Sequence, residues 1–202
     1  MKYQDSIRKA CYDCLKNSDD VFVIGQGLWS PWYVGQTMDK LDEIFGKNRL
    51  IDTPISESAV TAIGIGASIE NLYPIIVHPR MDFALYALDA IINQSAKWSY
   101  LSEGKISAGP LFRLIINRKG EQGAQHSQSL QSIFAHIPGL EVLMPVSSQQ
   151  AYDMFVYGTF TKNPVIYIDD RAFYEEEEEV VLNKVDIFNT KFKNSFYAKK
   201  FS

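Results

Sequence analysis

A chain of 202 residues, 46% hydrophobic and 13% aromatic, is long enough for one domain with a real core, which excludes a largely disordered protein. A net charge of −4 with no basic stripe excludes nucleic acid as the main partner. The start of the chain shows no apolar signal region, and no apolar run approaches the ~18 residues of a membrane span. A soluble cytoplasmic protein with no membrane partner is expected.

Apolar positions three and four apart predict a helix over Tyr3–Lys16 with one buried stripe. Cys11 and Cys14 fall on that stripe. They read as core thiols rather than as a redox pair, which belongs at a helix start. Val21–Ile24, closed by Gly25, reads as a strand covered on both faces. A long irregular stretch then runs to Asn48, carrying Trp29, Trp32 and Tyr33, with a short helix predicted across Thr37–Phe45. Loops of that length are more often functional than decorative.

Arg49–Ile51 reads as a short strand delivering Asp52-Thr53-Pro54-Ile55-Ser56-Glu57. Proline disfavours helix at the residue before it and serine is a good N-cap, so a helix is predicted from Ser56. Its body, Ser58 to Ser68, is nearly all small or β-branched. Gly64 and Gly66 each cost it about 1 kcal/mol relative to alanine, a cost usually tolerated where another backbone approaches closely. Glu57 thus reads as a buried carboxyl at the mouth of a tightly packed helix. The plainer alternative is a carboxylate that only favours the helix dipole.

Further strands are predicted at Tyr73–His78, Leu111–Ile116, Leu140–Met144 and Val165–Ile168. Between them fall a helix from the Pro79–Phe83 turn to about Tyr100, a polar helix Ser127–His136, and a helix from Ser147 to about Phe160 opened by a capping box. Strands alternating with helices and no hairpin imply an α/β fold: a mostly parallel sheet with helices on both faces, in three layers. Residues 1–170 form that domain. Residues 171–202 carry five consecutive glutamates, Glu175–Glu179, and an aromatic, lysine-rich end, and read as an acidic linker and C-terminal arm.

Four blocks in order carry a resemblance: Ile51-Asp52-Thr53-Pro54-Ile55-Ser56-Glu57; Asp82-Phe83 with the helix to Tyr100; Gln125-His126-Ser127-Gln128; and Pro138-Gly139-Leu140-Glu141-Val142 followed by Pro145. From about Tyr3 to Asp170 the chain resembles the beta subunit of the thiamin-diphosphate-dependent decarboxylase component of 2-oxoacid dehydrogenases. The same module is the pyrimidine-binding domain of transketolase-like enzymes. The resemblance implies the three-layer thiamin-diphosphate-binding fold. It also implies that Glu57 hydrogen-bonds the ring nitrogen of the cofactor's aminopyrimidine, a proton-sharing role that suits a carboxyl in a dry pocket. Phe83 then stacks on that ring, although by itself it reads as an ordinary core phenylalanine. His126 is placed near the substrate or an acyl acceptor, and Gln26 and Ile55 join the cofactor-binding residues. His78 and His136 read as structural.

The sequence also departs from the family's pattern. Gln26-Gly27 stands where an acidic pair is usual, and Gln26 can hydrogen-bond but cannot hold charge. The usual Arg-x-Pro-x-Gly stretch is Ile116-Asn117-Arg118-Lys119-Gly120, and Thr161 replaces an aspartate of the family's potassium site while Asn163 matches. The usual C-terminal domain is expected to be missing. No Gly-Asp-Gly followed by asparagine is present, so no metal site is expected in this chain. The resemblance implies that an alpha-like subunit holds the diphosphate and its Mg2+, in a heterodimer or an α₂β₂-like heterotetramer, with self-association of this chain a further option. The expected function is decarboxylation of a 2-oxoacid or transfer of an acyl or ketol unit. The alternatives are a split transketolase subunit and a degenerate, non-catalytic interaction subunit.

Overall fold

The computed structural model describes residues 1–120 and 122–182, so most of the C-terminal arm expected above lies outside the described residues. Six strands form one sheet: β1 (Val21–Gly25), β2 (Leu50–Asp52), β3 (Tyr73–His78), β4 (Leu111–Ile116), β5 (Glu141–Leu143) and β6 (Val165–Asp170). Their order is β2-β1-β3-β4-β6-β5, and every pairing is parallel, as expected.

Side chains alternate across the sheet, and both faces are buried. Val23, Ile75, Leu111 and Tyr167 point towards α1 (Tyr3–Asn17) and α6 (Ser148–Phe160). Ile24, Ile76, Phe112 and Ile166 point to the other side, where α3 (Glu57–Ile69) packs. Buried faces on both sides explain why these strands read as continuous apolar runs. Cys11 and Cys14 lie fully within the first of these cores, where burial pushes the Cys11 thiol up to about 12. The packing reading of the pair holds.

Three local expectations are corrected. The segment after β3 is not one helix. It is a 3₁₀ helix over Met81–Ala87, a π-helical turn over Ala90–Ser95, and α4 over Ala96–Leu101. Its buried residues Met81, Ala84 and Ala87 recur every third position, which is the period of a 3₁₀ helix. The polar helix expected over Ser127–His136 shrinks to α5 (Gln131–Ala135), because tertiary bonds hold the residues before it. Gln128 gives both its backbone N–H and its side-chain amide to Asp82 Oδ1, and the Leu130 N–H reaches Met81 Sδ. The helix expected across Thr37–Phe45 is α2 (Leu41–Phe45), preceded by left-handed residues at Gln36 and Lys40.

The glutamate run keeps its side chains in solvent while its backbone is pinned to the start of α1. Tyr3 and Gln4 N–H groups, which have no partner within the helix, donate to the carbonyls of Glu176 and Tyr174. Lys2 pairs with Glu175 at 2.5 Å.

Candidate cofactor site at the carboxyl edge of the sheet

The chain leaves β1, goes outward to β2, and returns past β1 to build β3 on the other side. The carboxyl ends of β1 and β3 therefore flank a topological switch point, where loops diverge and open a crevice. Gln26 follows β1 directly and Pro79 follows β3. Helix α3 starts beside them, after the segment that leaves β2.

Hydrogen bonds staple these loops together. Asp52 at the end of β2 accepts from the Gly27 N–H at 2.7 Å and the Trp29 N–H at 3.4 Å, and the Thr53 N–H donates to the Gly25 carbonyl at 2.9 Å. Gly27 adopts φ of +74°, and its backbone lies so close to the Tyr33 ring that a Cβ would collide with it. Glycine is required there for both reasons. On the other wall the Ser58 hydroxyl donates to the Tyr86 carbonyl, tying α3 to the 3₁₀ helix.

An open cleft of about 750 Å³ results, and Gln26, Ile55, Glu57, Phe83 and His126 all line it. Every site residue expected from the sequence is thus brought to one place. Phe83 and His126 meet edge-to-face with ring centroids 5.3 Å apart. The sequence reading missed Tyr33 and Tyr86, which also line the cleft. Tyr33 carried a usable signal, as an aromatic residue in an overlong loop. Tyr86 did not, since it fell inside a segment read only as part of a longer helix.

Glu57 is half-buried rather than buried, because the cleft it lines is open to solvent. No side-chain hydrogen bond or ion pair of Glu57 occurs among the described residues, and the residue lines the cleft. Ser56 occupies the N-cap position, but its hydroxyl turns back to the Ile55 carbonyl and makes no cap bond. Ile55 is 73% exposed and Tyr86 81% exposed, and large apolar groups at the rim of a cleft favour a flat, partly apolar ligand. A carboxylate, an aromatic face and an apolar rim are the donor set an aminopyrimidine needs. Among the described residues no group of three or more His, Cys, Asp or Glu is placed to hold a metal ion.

The pattern of the "Transketolase, pyrimidine binding domain" family matches residues 1–175. The chain belongs to this family. It is 33% identical over 180 residues to the pyruvate dehydrogenase E1 component subunit beta of Rhizobium meliloti (strain 1021), covering 89% of this chain and 39% of that protein. The corresponding mitochondrial subunit of Saccharomyces cerevisiae is 31% identical, covering 89% of this chain and 49% of its own length. The chain spans about half the length of the curated relatives it matches or less. Among solved structures, a chain described as "Split gene transketolase, inactive beta4 tetramer" superposes with a TM-score of 0.66 at 16% identity, covering 85% of this chain and 52% of the other. That likeness bears on the fold alone. The three-layer α/β architecture with an all-parallel sheet is that of the family.

Within the family frame, the packing of α3 divides its two glycines. A Cβ on Gly64 would lie 2.4 Å from Ile76 Cδ1, so this glycine lets α3 sit close on β3 of its own chain. Gly66 meets nothing within 4 Å and is exposed. With Ala59, Ala62 and Ile63 it forms an open face of small and apolar residues running away from the cleft.

Proposed function

We propose that this chain is the pyrimidine-binding, beta-like half of a thiamin-diphosphate site, completed by an alpha-like chain that holds the diphosphate through Mg2+. The observation that carries the reading is Glu57, without a side-chain partner among the described residues, lining one cleft with Phe83 and His126 at the switch point. When bound, the cofactor would supply a carbon nucleophile and a sink for the electron pair released by carbon–carbon cleavage. Glu57 binds the pyrimidine ring nitrogen and holds a proton there. Phe83 supports the ring by its face. Ile55 and Tyr86 exclude water from the rim once the second chain closes it. His126, held edge-on by Phe83, orients the donor's carboxylate or carries a proton at the mouth.

Within that frame we assign the chain to the 2-oxoacid decarboxylase side. Support comes from Gln125-His126-Ser127-Gln128 at the cleft and from relatives that are pyruvate dehydrogenase E1 beta subunits. The open face of α3 and the half-open cleft fit a second polypeptide seated there, in a heterodimer or heterotetramer.

The test is co-production with an alpha-like chain, followed by decarboxylation assays on pyruvate and branched 2-oxoacids with thiamin diphosphate and Mg2+. Glu57→Gln is expected to lower the rate about a hundredfold or more. Ketol transfer without decarboxylation would move the chain to the split transketolase class. Cofactor binding with no turnover of any donor would make it a non-catalytic interaction subunit.

A further inference from the structure

Behind the cleft lies a second, much smaller cavity of about 10 Å³, with Gln26, Glu57 and His78 in its wall. That is about the least room that holds one water molecule; the wall is largely apolar, and Gln26, Glu57 and His78 are among its polar residues. His78 closes β3 and is 2% exposed. Its Nε2 lies 3.1 Å from Thr61 Oγ1, and Nδ1 has no hydrogen-bond partner among the described residues. Thr61 stands one helical turn after Glu57, so the two side chains share a face of α3.

The Thr61 hydroxyl is buried, and His78 Nε2 is its sole partner among the described residues. A buried hydroxyl proton without an acceptor costs roughly 1–3 kcal/mol, so it is given to Nε2. The imidazole hydrogen then resides on Nδ1, the nitrogen with no hydrogen-bond partner among the described residues, on a residue that lines the cavity. Burial lowers the His78 pKa to about 4, which keeps the ring neutral at neutral pH.

We propose that His78 is a positioning residue for Glu57: one water in the small cavity accepts from His78 Nδ1–H and donates to the Glu57 carboxylate, fixing that carboxylate from behind. The inference rests on the reading of Glu57 as the ligand-facing acid and adds the group that aims it. It gives Thr61 and His78, which touch no part of the open cleft, a share in the geometry of the site. No bond is made or broken in the bridge.

Histidine-labelled NMR on the chain alone tests the bridge without reference to turnover. His78 is expected as the Nδ1–H tautomer and unprotonated from pH 8 to pH 5. Glu57→Gln is expected to shift its ring signals while leaving those of His136, exposed just after α5, in place. An Nε2–H tautomer, or a His78 signal unmoved by Glu57→Gln, would overturn the proposal. In the assembly with the alpha-like chain, His78→Asn keeps a donor near the Nδ1 position and should retain most of the rate. His78→Phe removes the donor and should lower kcat about tenfold with little change in the KM for thiamin diphosphate. Equal losses in both variants would make the role one of packing only and would also overturn it. An assembly in which the wild type binds no cofactor would refute the thiamin reading, and the NMR result would still decide the bridge.

Discussion

The Phe83 ring meets the His126 ring edge-on, 5.3 Å between centroids, although the two belong to separate loops at the carboxyl edge of the sheet. Each loop is fixed independently of that contact. Phe83 sits in the 3₁₀ helix that follows β3, and the His126 loop is anchored by Gln128 on Asp82 at 2.7 Å. One carboxylate, next in sequence to Phe83, thus ties the His126 loop to the segment that carries the Phe83 ring.

Phe83→Ala should weaken thiamin diphosphate binding in the assembled enzyme about tenfold, from loss of ring stacking and of the His126 contact. Phe83→Tyr keeps the face and should bind within about threefold of the wild type. Titration of cofactor against each variant, with fluorescence or calorimetric readout, checks both.

His78 makes stability depend on pH. Its folded pKa of about 4 lies below the ordinary value of 6.5, so between those values the unfolded chain binds a proton that the folded chain does not. Stability from this group is fully present above pH 6.5 and falls as pH drops, by about 1.4 kcal/mol per unit and about 3 kcal/mol in all by pH 4. Urea unfolding at pH 7 and pH 5 should show a loss of about 2 kcal/mol from this source, absent in His78→Phe.

The two glycines of α3 should respond in opposite ways. Gly64→Ala forces a Cβ into Ile76 and is expected to destabilise the chain by about 1–3 kcal/mol. Gly66→Ala meets open space and should stabilise the isolated chain by up to about 1 kcal/mol. Gly66→Leu, with the same open space in the single chain, should instead block assembly with the alpha-like partner. Thermal unfolding and size-exclusion chromatography separate the two effects.

Arg113 and Asp169 form a fully buried ion pair, with Nη2 to Oδ2 at 2.7 Å and Nε to Oδ1 at 2.8 Å. Burial alone would lower the arginine's pKa, but the carboxylate beside it outweighs that and holds it above its usual value. The guanidinium also donates to Thr37 Oγ1 at 2.7 Å, and Asp169 accepts from Tyr174 Oη at 2.5 Å. The pair therefore anchors the loop that carries Tyr33 to the cleft. Asp169→Ala strands a buried charge and should cost about 3–5 kcal/mol in denaturant unfolding, with part recovered by adding Arg113→Met.

Much of the cleft was legible before any coordinates. Glu57, Phe83 and His126 were marked by short blocks whose residue types and order are specific. What those blocks did not contain was the local backbone. The segment after Pro79 has a helical pattern of apolar residues, yet the three-residue spacing of Met81, Ala84 and Ala87 makes its first part 3₁₀. The segment after His126 has helical propensity, yet Asp82 and Met81 capture its backbone and keep it open. Competition between local preference and tertiary hydrogen bonds is decided by residues far off in the chain, which a pattern of neighbours does not encode.

By itself the sequence determined the class of fold and the burial of both sheet faces, because periodicity and residue type are local properties that survive in one dimension; the cleft's main side chains were named through the family resemblance of its short blocks. The tertiary structure alone decided that Glu57 stays half-buried, that Gly64 packs on its own strand while Gly66 is left open, and that His78, bonded to Thr61, shares a small cavity with Glu57. Those outcomes depend on strand order and on the distance between packed surfaces, and such quantities exist only once the sheet has closed.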